Sequence, residues 1–209
     1  MHRGESIAHP RWAFKHACDS CDACHIAMVA HSAKKLKNLP ESKIPLLGLF
    51  AAGIFAAQMV NFPIIGGVSG HLLGATLVAI LLGPYAAVLI MTAVLIIQTL
   101  LFGDGGITAL GANILNMGIL GAFLGYTVYT RLKSINEIVA IGVDSWLSVF
   151  LGAVLAAIEI GISKSLPFGK VLTLMAGYHA IIGIGEAILT IIIIQAVRAK
   201  LPEVGGVPA

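Results

Sequence analysis

Ionised side chains are scarce in this chain. Of its 209 residues only 11% are Asp, Glu, Lys or Arg, while 58% are hydrophobic and the mean hydropathy is +0.95. Soluble domains carry about a quarter charged residues. The deficit excludes an ordinary water-soluble enzyme, a disordered tail and a nucleic-acid binder. The formal charge of +3 is too small and too local to make a phosphate-binding patch. No Gly-x-x-x-x-Gly-Lys-Ser/Thr loop occurs, so ATP hydrolysis is not expected from this chain. A secretory signal, an apolar run followed by a small-residue cleavage site, is also missing. There is no internal repeat. Cysteine is limited to three residues, an odd number that cannot form a complete disulfide set.

The charge that exists is unevenly placed. From Ile44 to Thr130 the only ionised side chain is Asp104. The residues before Ile44 hold seven Lys/Arg, four Asp/Glu, five of the seven histidines and all three cysteines. The chain therefore divides into a polar N-terminal segment (1–43), a transmembrane body (44–200) and a short tail (201–209). A helix needs about 20 apolar residues to span hydrocarbon. The apolar runs are continuous rather than alternating, which favours helices over a barrel. The fold class expected is an all-α polytopic membrane bundle with six hydrophobic helices. These are Ile44–Phe62, Leu72–Leu82, Tyr85–Phe102, Ile107–Thr130, Ile138–Ile162 and Val171–Ala199, the last bending near Gly183 or Gly185. Residues 11–36 are a doubtful seventh. Arg11, Lys15, Asp19 and Asp22 interrupt that segment, at roughly 2.5–3.5 kcal/mol for each one held at the membrane centre.

Lys/Arg excess marks the cytoplasmic side. Threading the six spans from a cytoplasmic Lys34–Lys43 loop puts Arg131/Lys133, Arg198/Lys200 and the C-terminus inside. The His71 and Asp104 loops then lie outside a multi-pass cell (inner) membrane protein, with Lys164 and Lys170 as a minor violation. The N-terminus lies outside only if residues 11–36 cross.

Several polar residues need a reason to be in such a body. Three glycines flank His71 in Gly66-Gly67-Val68-Ser69-Gly70-His71. They leave its imidazole accessible either as a metal ligand or for a carbonyl hydrogen bond. Asp104 is expected to cap the helix that follows it. Asn113 and Asn116, three apart, share a helix face. Gln58, Asp144, Glu159, His179 and Glu186 lie in or near spans, where ionisable groups suggest function by default. A proton-coupled ion transporter using Glu159, His179 and Glu186 is one reading of them.

The chain begins Met1-His2. A free amine, the deprotonated amide of His2 and its imidazole give three nitrogens in a plane. A fourth, for example from His71, would complete a square-planar site suited to Ni(II) or Cu(II), with Co(II) plausible. A separate signal lies in Cys18-Asp19-Ser20-Cys21-Asp22-Ala23-Cys24-His25. Cys21, Cys24 and His25 match the Cys-x-x-Cys-His pattern of c-type haem attachment. That leaves a membrane-anchored haem or metal-binding electron-transfer protein as the alternative function. Cys18, Cys21, Cys24 and His25 could instead hold zinc, or carry no ligand. Haem is the least favoured of these.

The stretches Phe55-Ala56-Ala57-Gln58-Met59-Val60-Asn61-Phe62-Pro63 and Gly66-Gly67-Val68-Ser69-Gly70-His71-Leu72-Leu73-Gly74 resemble the CbiM/NikM family. So do Leu82-Gly83-Pro84 and Phe102-Gly103-Asp104-Gly105-Gly106-Ile107-Thr108-Ala109-Leu110-Gly111-Ala112-Asn113 with Asn116-Met117-Gly118. The resemblance implies the metal-capturing membrane subunit of an energy-coupling-factor transporter that carries Co2+ or Ni2+ as substrate. It implies a seven-helix bundle with its N-terminus outside. It implies a metal held by the Met1 amine, the His2 amide and imidazole, and His71, with Asn61, Ser69, Asp104, Asn113 and Asn116 supporting or lining the site. The implied partners are a transmembrane coupling subunit, two cytoplasmic ATPases, a small extra membrane subunit and lipid, with no nucleic acid. The first 32 residues depart from the family, which usually begins Met-His-Ile-Pro and continues into an apolar helix.

Overall fold

The computed structural model describes residues 11–64, 68–163, 167–201 and 204. Helices account for nearly all of them. In chain order they are α1 (Arg11–Lys35), α2 (Ile44–Gln58), α3 (Ala75–Leu82), α4 (Pro84–Phe102), α5 (Ile107–Leu132), α6 (Glu137–Ser163) and α7 (Phe168–Lys200). Helix α4 ends in a π turn, Gln98–Phe102. Helix α5 opens with a 3-10 turn and carries a π segment at Ile114–Leu120. One antiparallel hairpin, β1 (Asn61–Ile64) and β2 (Val68–His71), lies between α2 and α3.

Among the described residues four helices, α4 to α7, are long and apolar enough to cross a membrane. The chain is thus a helical membrane bundle, with four spans of that kind among the described residues where six were expected. Helix α2, expected to reach Phe62, stops at Gln58 because Asn61 and Phe62 enter the hairpin. Helix α3, expected from Leu72, starts at Ala75 and has 8 residues. At about 1.5 Å per residue it is too short to span. Helix α7 runs unbroken through Gly183 and Gly185. Gly183 is a slot rather than a hinge: a Cβ there would sit 2.9 Å from the Trp146 ring.

All eight residues of α3 are buried. A helix apolar all round belongs at the centre of its bundle, and α3 packs against α4, α5, α6 and α7. Small residues let it do so. An added Cβ at Gly121 would stand 3.0 Å from Ala75, and one at Gly118 would stand 3.4 Å from Met91. The glycine ridge of α5 is therefore used inside the chain. Ile181, Ile184, Ile188 and Ile192 of α7 are exposed, the outer surface appropriate to a lipid solvent.

The basic clusters gather at one end. Arg198 pairs with Glu137 at 2.5 Å and donates to the Tyr129 hydroxyl. Lys133 lies over the Tyr129 ring. Lys35 lies over Tyr85, which meets Phe123 edge-on. Helix α1 therefore has its last turn at the Tyr85 end of α4, and it also packs on Leu110–Asn113, beyond the other end of α4. It runs alongside the bundle, and residue 11 lies towards the Asp104 end. Counted back from Lys35 at about 1.5 Å per residue, Lys15 is about 30 Å away, the thickness of the hydrocarbon. Arg11, Lys15, Asp19 and Asp22 all belong to this helix. Those charges keep α1 off the set of four apolar spans.

Gly74 joins the hairpin to α3 at φ +76, and a Cβ there would meet Ile54 at 2.9 Å. Gly74→Ala is expected to lose roughly 1–3 kcal/mol, lowering the thermal unfolding midpoint in detergent by several degrees. Gly53→Ala, with nothing within 4 Å, should leave the midpoint unchanged.

Candidate metal centre

His71 is the last residue of β2, paired in register with Asn61. It is half-buried. Its Nδ1 lies 2.9 Å from the Leu72 carbonyl. A carbonyl can only accept, so Nδ1 is the donor in this contact. Metal-ligating imidazoles are oriented in this way through their other ring nitrogen.

The two residues that follow Leu72 are held from both sides. Gln58 donates from Nε2 to the Leu73 carbonyl at 2.6 Å, and Gln98 donates to Gln58 Oε1 at 2.8 Å. Glu186 of α7 accepts the Leu73 N–H at 2.9 Å and the Gly74 N–H at 2.7 Å, one on each carboxylate oxygen. Gln58 is 0% exposed and Glu186 3%. The reason lies in α3. Its N-cap is Gly74, which has no side chain, and the Glu186 carboxylate from a distant helix accepts the N–H of that N-cap and of the residue before it, at the positive end of the helix dipole.

A second polar pair lies on α5 and α6. Asn116 is 2% exposed and donates from Nδ2 to Glu159 Oε2 at 2.7 Å. The π segment carrying Asn116 brings its carbonyl within 3.3 Å of where a Cβ at Gly152 would lie. Widened turns of this kind often occur at functional positions. Asn113, half-buried, has its amide beside Gly105. Asp104 does not cap α5. The N-cap is Gly106 and no side chain caps it, because Gly103, Gly105 and Gly106 all take positive φ and coil the linker away from the helix start. The Asp104 carbonyl accepts from Thr99 instead.

Met1 and His2 lie outside the described residues. Asn61 and Ser69 are strand positions, and the structure adds nothing on their side chains. His71, Asn61, Gln58, Gln98 and Asp104 share one end of the bundle. His179 lies near that end on α7. Its Nδ1 is 2.8 Å from the Met175 carbonyl. Cys18, Cys21, Cys24 and His25 are on α1. Cys24 is a free, exposed thiol, and His25 is half-buried. Among the described residues no group of three or more His, Cys, Asp or Glu could hold a metal by itself. A metal at His71 would need donors from residues outside that set.

The role of Glu186 in holding Leu73 and Gly74 was not expected, nor was that of Gln98. One signal was available. Gly74-Ala75 opens an apolar helix with no Ser, Thr, Asp or Asn at its start, so an acceptor had to come from elsewhere.

A family profile described as the cobalt uptake substrate-specific transmembrane region, CbiM, matches residues 17–204. A protein of Archaeoglobus fulgidus, which carries the name of a fused nickel transport protein NikMN, is 45% identical over 180 residues. That match covers 85% of this chain but 60% of the relative, so the chain spans well under two thirds of that fused protein. The cobalt transport protein CbiM of Clostridium tetani is 32% identical, with 99% of this chain and 90% of the relative covered. A crystal structure of a transition metal transporter superposes with a TM-score of 0.83 at 31% identity, covering 95% of this chain and 93% of that one.

Removing either clamp should loosen the segment beside His71. Gln58→Leu leaves the Leu73 carbonyl and the Gln98 amide without their partner, at roughly 1–3 kcal/mol for each buried group. Glu186→Gln keeps the shape but withdraws one acceptor. Hydrogen exchange should accelerate at Leu73 and Gly74 in Glu186→Gln, while amides of α4 and α6 keep their protection. Unchanged exchange at Leu73 and Gly74 would show that Glu186 does not hold them.

Proposed function

The chain belongs to the CbiM family, and from that membership we propose that it captures Ni2+ or Co2+ outside the cell membrane for uptake driven by partner ATPases. The ion is the transported substrate. Its ligands are the Met1 amine, the His2 amide nitrogen and imidazole, and His71. The observation that carries this reading is the setting of His71: Nδ1 tied to the Leu72 carbonyl, with Leu73 and Gly74 clamped by Gln58 and Glu186. A ligand held by its own neighbours loses little freedom on binding, which favours affinity.

The direction of α1 supports the same reading. Its first described residue, 11, lies towards the end of the bundle that holds His71. Asn61, Ser69, Asp104, Asn113 and Asn116 line or support the site, with Asn116 held by Glu159. The basic end, with Lys35, Lys133 and Arg198, is cytoplasmic by the positive-inside rule. A transmembrane coupling subunit and two cytoplasmic ATPases supply the energy. Planar nitrogen geometry, rather than charge, sets selectivity for late divalent metals.

Titration of purified protein with Ni2+ and Co2+ tests this. One ion per chain with a square-planar Ni2+ spectrum is expected. It should be lost both when one residue is added before Met1 and in His71→Ala. Because the amide and imidazole must lose protons to bind, apparent affinity should rise with pH and binding should release protons to the buffer. Binding insensitive to both changes would overturn the assignment.

A further inference from the structure

Asp144 takes no part in the metal centre. It sits on α6, is 0% exposed, and neither carboxylate oxygen has a hydrogen-bond partner among the described residues. No Lys, Arg or His among those residues pairs with it; the ion pair seen among them is Arg198 with Glu137. An unpaired buried carboxylate is among the most unfavourable arrangements in a low-dielectric interior. Two hydroxyls approach the same position of α5 as its carboxylate. Thr76 of α3 donates to Ser148 Oγ at 3.2 Å. Asp144 Oδ1, Thr76 Oγ1 and Ser148 Oγ lie 3.0, 3.0 and 3.2 Å from the single point where a Cβ at Gly125 would be. Oxygens from α3 and α6 thus gather over the one bare backbone position of α5 that faces them.

We propose that Asp144, Thr76 and Ser148 form an intramembrane site for a monovalent alkali cation, Na+ being the smaller and better candidate. The donor set decides the class. Hydroxyl and carboxylate oxygens are hard ligands suited to hard cations, not to the nitrogen-preferring metals drawn to His71. One carboxylate with two neutral hydroxyls balances a single positive charge. A divalent ion would leave a net charge buried in the bundle, which is unfavourable. Occupancy would tie α3 to α6 two residues after Gly74, so the site joins the core at the root of the clamped segment. The proposal does not depend on what His71 binds.

The test is thermal unfolding of the full chain in detergent or nanodiscs at constant ionic strength, with NaCl replaced stepwise by N-methylglucamine chloride. Stabilisation by a bound ion grows with the logarithm of its concentration above Kd. The unfolding midpoint should therefore rise by several degrees with Na+. In Asp144→Asn, an isosteric neutral variant, the rise should vanish. In Ser148→Ala it should need several-fold more Na+. Gly125→Ala, which crowds the three oxygens, gives a second variant should Asp144→Asn fail to fold, and it too should abolish the rise. Equal midpoints in sodium and N-methylglucamine salts would overturn the proposal. So would a Na+ response retained in Asp144→Asn, or a midpoint that follows pH alone, which would assign Asp144 a proton instead. Nickel binding measured in parallel separates this result from that at His71.

Discussion

The two peptide groups at Leu73 and Gly74 tie together the end of the described structure that holds His71. Four hydrogen bonds from three helices meet there: Glu186 accepts two N–H groups, Gln58 donates to a carbonyl, and Gln98 secures Gln58. Each satisfies a group that lipid cannot, and an unmet backbone group costs several kcal/mol there. The junction solves a specific difficulty. A hairpin at that end of the bundle must hand the chain to a buried helix of eight residues. That helix starts at a glycine because Ile54 lies 2.9 Å from where a Cβ would be. A glycine cannot cap itself, so the cap comes from α7, and α7, α3 and the hairpin become one unit.

The sequence carried much of this architecture. The scarcity of charge between Ile44 and Thr130, where Asp104 stands alone, and the continuous apolar runs were sufficient to read a helical membrane body. The placement of charge also grouped Lys35, Lys133 and Arg198 correctly at one end, where the structure ties them to Tyr85, Tyr129 and Glu137. The pairing of Asn113 and Asn116 with a polar interior held for Asn116. The failures are local. Four-residue strands rich in glycine have no hydrophobic period long enough to register, so the hairpin was read as a loop. Asp104 looked like a cap because Asp favours that position. Three positive-φ glycines around it redirect the backbone, and that effect outweighs side-chain preference. Gly183 looked like a break in α7, whereas it is the slot for Trp146, whose Nε1 donates to the Ala180 carbonyl.

Helix α1 was the hardest to read, for a physical reason. Per-residue insertion energies describe a helix alone at the membrane centre. A helix packed along α4 meets different conditions. Only Ser32 near its last turn is fully buried among its described side chains.

The disposition of oxygen atoms bears on the choice of metal. Near His71 the obvious oxygen ligands are already engaged. Both oxygens of Glu186 hold backbone N–H groups, Gln58 Oε1 accepts from Gln98, and Glu159 Oε2 accepts from Asn116. A hard cation such as Mg2+ or Ca2+ needs six or more oxygen ligands. To gather them here it would have to break the clamp that positions the loop. An imidazole Nε2 is free at no such expense. On the proposed reading, the bonds that fix His71 also exclude the more abundant hard cations. Discrimination then comes from what the fold has already committed rather than from a tailored cavity. Among the described residues the buried oxygens without a hydrogen-bond partner are Ser32 Oγ, Asn116 Oδ1 and both oxygens of Asp144, and only Asp144 brings a carboxylate to balance a cation.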